Sequence, residues 1–339
     1  MEKLENHKKC ICLVDDNLVC LNTGKSLLQN KYTIVTIPSG EKLLALLEKA
    51  KPDLILLDVE MPGMNGYDTI KELKANPNTA GIPVIFLTGK DEPENEFLGL
   101  SLGAVDYITK PFSPPLLFKR IELQLQLESQ KRTLCEYLTW VAEISDIRNE
   151  YTGRRAERIQ GYLKLLLHAM IKKGLYAAEA AQWNKEDFFM AALLYDVGII
   201  KIHHAILLKE PPLTDDELKD IKLHVLHGKM LLESLEEKVP GQKFLDYAKT
   251  LSYSHHEKWD GTGYPDGLKG EQIPLEARMV SIADVYDALV SNRPYRKALS
   301  HEQAMQIISG GRNTQFDPEL AGLFSNLSDE VADIQGRMK

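Results

Sequence analysis

Residues 53–74 read DLILLDVEMPGMNGYDTIKELK, and this stretch decides the fold of the first part of the chain. The apolar run from Asp53 to Val59 has the length of a buried strand, and a turn rich in proline and glycine separates it from the helical pattern of Tyr67 to Lys74. Two similar apolar runs occur, at Lys9 to Val14 and at Pro83 to Thr88. Strands that alternate with helices indicate a doubly wound α/β domain with a parallel sheet.

The predicted α/β domain spans residues 1–125, and polar side chains follow several of its strands. They are Asp15, Asp16, Asp58, Thr88 and Lys110. In such a sheet, ligands bind outside the carboxyl ends of the strands, so these side chains are expected to converge. Burying carboxylates together is costly without a cation, and carboxylate oxygens are ligands that Mg²⁺ prefers. We therefore expect a magnesium site at Asp15, Asp16 and Asp58, with Lys110 beside it.

Four segments of this domain resemble the receiver domain of response regulators. They are VDDN at 14–17, LLDVEMPGMNGYD at 56–68, FLTGK at 86–90 and DYITKPF at 106–112. The resemblance implies a five-stranded sheet, a histidine kinase that phosphorylates Asp58, magnesium held with the help of Asp15 and Asp16, and pairing of Lys110 with the phosphate. The residues implied to respond to phosphorylation are Thr88 and Tyr107. An aspartyl phosphate requires neutralising cations, and this residue set supplies them.

The segment 116–145 contains neither glycine nor proline and predicts a connecting helix. Its apolar side chains form one stripe with three-four spacing, at Leu116, Leu123, Leu127, Leu134, Tyr137, Val141 and Ile144. Arg120 and Gln130 interrupt the stripe, so it either packs on the chain's own domains or pairs with a second copy. We favour a parallel homodimer, in which phosphorylation would displace the helix and so signal to the second domain.

After residue 145 the sequence predicts an all-α domain at 146–330 and a C-terminal tail at 331–339. The predicted helices are Ile159–Ile171, Phe188–Leu194, Asp215–Leu235, Gln242–Ser254, Ala277–Leu289 and His301–Ile308. Histidines and aspartates on separate helical segments are typical of a metal site. The candidate ligands are Asp196, His224, His255, His256 and Asp284. The other histidines are interpreted as structural.

This second domain resembles the HD-GYP family of metal-dependent phosphohydrolases, which is known for cyclic di-GMP phosphodiesterases. The segments that carry the resemblance are HHEKWDGTGYPDGLKGEQIP at 255–274, ARMVSIADVYDALVSNRPYR at 277–296 and TQFDPEL at 314–320. It implies that the five candidate ligands above bind metal and that Arg293 and Arg296 contact phosphate groups. The loop containing Gly263, Tyr264 and Pro265 would contact the cyclic dinucleotide or partner signalling proteins.

The chain departs from the family pattern at residues that matter for metal binding. Tyr195 replaces the histidine of the His-Asp pair, Ile199 replaces a lysine, Arg155 replaces a further metal-binding histidine, and Tyr151 stands where some members have a glutamate. The first metal therefore loses its nitrogen ligands, while the second retains a set suited to one iron, manganese, zinc or nickel ion. The guanidinium of Arg155 would either pair with Asp196 or Asp284 in place of the first metal, or face solvent.

Three functions compete at this point. The favoured one is a response regulator whose output domain is a degenerate phosphodiesterase that binds a cyclic dinucleotide or a protein with little turnover. The second is an active phosphodiesterase, in which Asp196 belongs to the catalytic site. The third is a pure protein-interaction module, against which the retained His255 and His256 count.

Composition excludes other classes of function. The 339 residues have a formal charge of −8 and no basic recognition helix, so direct DNA binding is not expected. The sequence has no apolar run long enough for membrane insertion and no signal peptide, which predicts a cytoplasmic protein. The cysteines match no zinc motif and are expected to be reduced; they are Cys10, Cys12, Cys20 and Cys135.

Overall fold

The computed structural model describes residues 8–76, 78–89, 93–146, 154–207, 209, 212–292 and 297–338. The chain forms two compact units, Met1–Thr133 and Leu134–Lys339. None of the helices within the described residues is long and apolar enough to cross a membrane.

The first unit contains the predicted five-stranded parallel sheet, with strand order β2-β1-β3-β4-β5. The strands are β1 (Cys10–Val14), β2 (Thr33–Ile37), β3 (Leu54–Asp58), β4 (Val84–Thr88) and β5 (Asp106–Thr109). The helices are α1 (Leu18–Leu28), α2 (Gly40–Leu47), α3 (Gly66–Ala75), α4 (Pro93–Ser101) and α5 (Pro114–Asp146). The sheet confirms the α/β fold class, and its parallel order brings the carboxyl ends of β1, β3 and β4 to one edge.

The burial of the strands and the N-terminal caps of the helices explain why these segments form a sheet with helices on both faces. Strands β3 and β4 are buried along their whole length, as expected for a parallel sheet that is covered on both faces. Asn17 and Asn65 each accept a hydrogen bond from a backbone N–H in the first turn of the helix that follows, which starts α1 and α3 just beyond the sheet edge. The residues between strand ends and helix starts are therefore held at that edge.

Helix α5 starts in the first unit and ends in the second. Leu117 and Ile121 are fully buried in the core of the first unit, and Leu138 is buried in the core of the second. The members of the predicted apolar stripe are other residues of the helix, and one of them, Val141, packs against the core of the second unit. Several members of the stripe are exposed, namely Leu116, Leu123, Leu127, Leu134 and Tyr137.

The second unit is helical, as the sequence predicts. Its α-helices are α6 (Arg155–Lys172), α7 (Ala177–Ala180), α8 (Lys185–Ala191), α9 (His204–Leu207), α10 (Asp215–Lys222), α11 (His224–Lys238), α12 (Phe244–Ser254), α13 (Leu275–Val290), α14 (His301–Gly310), α15 (Pro318–Asn326) and α16 (Ser328–Arg337). Short 3-10 helices lie at Val197–Lys201 and Gly270–Gln272. Its core includes edge-to-face contacts of Tyr162 with Tyr286 and Phe324, so α6, α13 and α15 pack around one aromatic centre.

Two segments differ from the sequence-based expectation. The helix expected over Asp215–Leu235 is two helices, α10 and α11, which meet at Leu223. Residues 331–337 belong to α16, where Val331 is fully buried and the helix packs against α6, although the sequence assigns them to a tail. In both cases the apolar spacing continues through the segment, and tertiary contacts decide where the helices end.

Candidate functional site

Three aspartates lie together at the carboxyl edge of the sheet. Asp15 and Asp16 follow β1, and Asp58 is the last residue of β3. One carboxylate oxygen from each lies within 4.8 Å of the others. Asp15 is fully buried, Asp58 is 5 % exposed, and Asp16 is exposed to solvent. The three carboxylates that the sequence predicts to converge thus lie together, and their hard oxygen atoms suit Mg²⁺.

Lys110 joins this acidic site, defined as Asp15, Asp16, Asp58 and Lys110. Its backbone N–H donates to the carbonyl of Thr88 (2.7 Å), and its Nζ lies 2.5 Å from Asp15 Oδ2 and 2.8 Å from Asp58 Oδ2. Burial raises the pKa of Asp58 above its usual range, and hydrogen bonding to Lys110 opposes this effect. Burial alone would lower the pKa of Lys110, but its hydrogen bonds to the two aspartates raise it, so the ammonium stays charged.

The other two receiver candidates are placed on neighbouring strands. Thr88 is the last residue of β4 and pairs with Thr109 of β5. Tyr107 lies on β5 opposite Phe86, with its ring 5.9 Å from the guanidinium carbon of Arg120. Thr88 thus lies at the edge occupied by the acidic site, whereas the ring of Tyr107 contacts α5.

A second group of ligand atoms is formed by His224, His255 and His256, called the histidine cluster below. One ring nitrogen of each lies within 4.8 Å of the others. Nδ1 of His224 is 2.7 Å from the carbonyl oxygen of Ile221, and Nδ1 of His255 is 2.9 Å from that of Leu251. Because a carbonyl only accepts, these contacts assign the ring proton to Nδ1. The two Nε2 atoms, 3.5 Å apart, are then left with lone pairs for a metal.

The electrostatics at His255 and His256 also favour neutral rings. Burial lowers the pKa of His255 below its usual value, and burial together with the neighbouring His255 lowers that of His256 much further. Neutral imidazole is the form that ligates metals.

Asp196 lies beside the histidine cluster because two backbone segments approach unusually closely. A Cβ at Gly198 would overlap the backbone of His224 and Gly228, so only glycine allows this crossing. Asp196 Oδ1 lies 3.5 Å from His224 Nε2. This oxygen is buried and accepts no hydrogen bond from any described residue. A buried carboxylate oxygen without a donor, next to open imidazole nitrogens, fits a metal ion well.

Asp284, the fifth candidate ligand, is occupied by protein groups. Its Oδ1 accepts hydrogen bonds from the hydroxyl of Tyr195 (2.6 Å) and from the guanidinium of Arg155. Arg155 also lies 3.7 Å from Asp196 Oδ2 and is only 13 % exposed, so it does not face solvent. Burial alone would raise the pKa of Asp284, but Arg155 holds it well below its usual range, with help from the histidines and Tyr195.

A second ion pair between α6 and α13 lies about one helical turn beyond Arg155 and Asp284. Arg158 of α6 contacts both oxygens of Asp287 of α13, at 2.7 and 3.0 Å, and both side chains are buried. Arg155 and Arg158 are thus matched to Asp284 and Asp287 in the same register. The bidentate pair fixes α6 against α13 and so holds Arg155 opposite Asp284.

The loop that follows the histidine pair is folded by a buried carboxylate. Glu257 is 2 % exposed and accepts hydrogen bonds from the backbone of Asp266 (2.8 Å) and Leu268 (2.9 Å). A Cβ at Gly263 would overlap the backbone of Glu257, so the loop folds back on itself there. Tyr264 consequently stacks on His256, with ring centroids 4.9 Å apart, and Pro265 follows it. This places the predicted loop against the histidine cluster.

Comparison with known proteins agrees with both units. Residues 11–122 match the response regulator receiver domain, and residues 140–320, more than half of the chain, match the HD domain. The chain belongs to the response regulators with an HD-type output domain. Among the relatives of this response regulator is a probable cyclic di-GMP phosphodiesterase of Vibrio cholerae. The two sequences are 40 % identical in an alignment that covers 98 % of this chain and 80 % of that protein.

Two further relatives also align with most of this chain. The cyclic di-GMP phosphodiesterase response regulator RpfG of Xanthomonas campestris is 35 % identical over 80 % of this chain and 74 % of its own length. A cyclic di-GMP phosphodiesterase of Thermotoga maritima is 30 % identical over 96 % of this chain and 92 % of its own length.

Some residues at the two sites of this response regulator have no clear sequence signal, and some predicted residues lie outside the described part of the chain. Glu257 and Asp287 were missed, because a single acidic residue beside a histidine pair or within an amphipathic helix gives no distinct signal. Their buried hydrogen bonds appear only in the fold. The phosphate-contact candidates Arg293 and Arg296 lie outside the described residues, as does Tyr151.

Proposed function

We propose that this response regulator is phosphorylated on Asp58 by a histidine kinase and thereby controls an output domain that binds cyclic di-GMP, or a related cyclic dinucleotide, with little turnover. The relatives named as cyclic di-GMP phosphodiesterases support the ligand class. The observation that carries the low turnover is the occupation of Asp284 by Arg155 and Tyr195.

The acidic site supports the phosphorylation step. Asp15, Asp16 and Asp58 would hold Mg²⁺, which supplies charge neutralisation for the incoming phosphoryl group. The ammonium of Lys110, already 2.8 Å from Asp58 Oδ2, is placed to pair with the product phosphate. Thr88, at the same edge, is the residue we expect to respond first, and Tyr107 the second.

The output site supports binding more strongly than catalysis. Asp196, His224, His255 and His256 would hold one transition metal, which polarises a phosphate oxygen when it is bound. Asp284 is a metal-binding position in the family pattern, but here it pairs with the guanidinium of Arg155. The guanidinium thus neutralises the carboxylate charge where a second metal would bind. The site then lacks the second metal cation that phosphodiester cleavage uses.

An active phosphodiesterase is the second candidate. The unpartnered Oδ1 of Asp196 favours it, because this atom remains available beside the histidine cluster to ligate metal or to accept a proton. In this version one metal and the guanidinium of Arg155 together stabilise the charge on the phosphate.

We also propose that the chain forms a homodimer through the exposed stripe of α5. Leu116, Leu123, Leu127, Leu134 and Tyr137 follow the heptad spacing of a two-stranded coiled coil and are solvent-exposed in the single chain. Further partner proteins would contact the loop at Gly263–Pro265, which is the surface that the third candidate function, a protein-interaction module, requires.

The test compares binding with turnover on the full chain. We expect metal-loaded protein, with beryllofluoride and Mg²⁺ present, to bind cyclic di-GMP in isothermal titration calorimetry while chromatography detects little linear product. Rapid product formation would favour the active phosphodiesterase. Absence of binding in every state, with the metal present, would favour the interaction module.

A further inference from the structure

A lysine side chain lies at the edge of the histidine cluster. Lys222 is the last residue of α10, two positions before His224. Its Nζ lies 5.1 Å from the centroid of the Tyr264 ring, and that ring in turn stacks on His256 at an interplanar angle of 25°. The aromatic contact holds the ammonium beside the proposed metal ligands.

The ammonium of Lys222 has no carboxylate partner among the residues that the structure describes. The other cation described next to the cluster, Arg155, is already paired with Asp284. An exposed ammonium that no carboxylate neutralises, held at the rim of a metal site, attracts anions. Each phosphodiester group carries one negative charge, and a single metal would leave a cyclic dinucleotide's second phosphate without a cation.

We infer that Lys222, steered by the ring of Tyr264, contacts a phosphodiester group of the bound ligand and replaces a cation that the degenerate site lacks. The inference rests on the proposed function for its ligand. It assigns to Lys222 a binding role, made through one charge-assisted hydrogen bond to a phosphate oxygen. The lysine of the family pattern is absent at Ile199, so this contact would come from a different helix.

The chain offers a matched control. Lys229 of α11 also lies over a tyrosine ring, with Nζ 4.4 Å from the centroid of Tyr253, and it too has no described ion pair. The ring of Tyr253 makes no contact with the three rings of the histidine cluster in the described part of the chain, and its hydroxyl donates to Asp266. The two lysines thus share their charge and a tyrosine ring as neighbour, and they differ in that only the ring beneath Lys222 stacks on a histidine of the cluster.

The experiment measures cyclic di-GMP affinity of the metal-loaded full chain at two salt concentrations. We expect Lys222→Gln to weaken binding about tenfold, which corresponds to ~1.4 kcal/mol, and to flatten its salt dependence. Lys222→Arg should keep most of the affinity, and Lys229→Gln should change it less than about twofold. Metal content and circular dichroism establish that the variants are folded. Equal affinities of the two glutamine variants would overturn the inference and leave the proposed function intact.

A separate measurement tests the role of Lys222 if the proposed function is wrong. If wild-type protein does not bind cyclic di-GMP, the same variants are compared with inorganic phosphate as the probe, by ³¹P relaxation in manganese-loaded protein. Loss of phosphate binding in Lys222→Gln alone would support the anion contact without the nucleotide. Phosphate binding that is absent from wild type, or equal in all variants, would refute it.

Discussion

Replacing Arg155 with alanine tests whether its guanidinium acts as the internal cation of the output domain. The side chains of Arg155 and Asp284 are each 13 % exposed, and the variant would leave the carboxylate buried with only Tyr195 as a described hydrogen-bond donor. Breaking a buried pair in this way costs about 3–5 kcal/mol. Because the hydroxyl of Tyr195 still donates, we expect the lower end, about 3 kcal/mol.

Intrinsic fluorescence makes the assay specific for the second unit. The three tryptophans of the chain, Trp140, Trp183 and Trp259, all lie within Leu134–Lys339. Urea unfolding followed by tryptophan emission, with a chelator present, therefore reports the free energy of unfolding of this unit. Arg154→Ala is the control. The guanidinium of Arg154 is exposed and pairs with the partly exposed Glu157, so its removal should change the free energy of unfolding little.

The pH dependence gives an independent check. Burial would raise the pKa of Asp284, but Arg155 depresses it well below its usual range. A depressed pKa contributes stability above the unfolded value of about 3.9, and this contribution is lost as the pH falls through the folded value. The difference in the free energy of unfolding between wild type and Arg155→Ala should therefore have its full size at neutral pH and decrease below about pH 4. A loss no larger than that of Arg154→Ala, or a difference independent of pH, would refute the reasoning.

Three further outcomes follow from the same structure. Asp58→Asn should abolish labelling by acetyl phosphate with Mg²⁺, read by mass spectrometry; labelling that persists would show that another residue is the acceptor. Purified protein should contain at most about one tightly bound transition metal per chain by elemental analysis, and His255→Ala should lose most of it, whereas two metals per chain would contradict the lost first site. Tyr195→His, Ile199→Lys and Arg155→His together should raise metal content and cyclic di-GMP hydrolysis by more than the single changes combined, because ligands act as a unit; robust wild-type turnover would be the contrary result.

The acidic site could be predicted from sequence because strand ends constrain side chains strongly. Once Asp15, Asp58 and Thr88 are each assigned to the end of a parallel strand, the sheet itself brings them to one edge. Lys110 follows by the same rule, since its N–H pairs with the carbonyl of Thr88. The positions of these side chains then depend on little more than the choice of rotamer.

The output site was predictable only in part. His255 and His256 are adjacent in sequence, but the direction of the Arg155 side chain depends on residues 129 positions away, through contacts to Asp284 and the neighbouring Arg158 pair. The break at Leu223 has the same origin. The apolar spacing continues through Leu223, so it does not indicate a break there. Helix α11 begins at His224, whose backbone lies against Gly198, and this long-range contact cannot be predicted from local sequence.

The contact between Gly198 and Gly228 has a consequence for how this domain tolerates change. The two segments that carry Asp196 and His224 touch through main-chain atoms, with no side chain between them. Exchanges among the apolar residues of the surrounding core do not alter this main-chain contact, so we expect the distance between these two candidate ligands to stay the same. We expect that residues of the surrounding core, including Tyr195, can change in sequence while the spacing of the candidate metal site is retained.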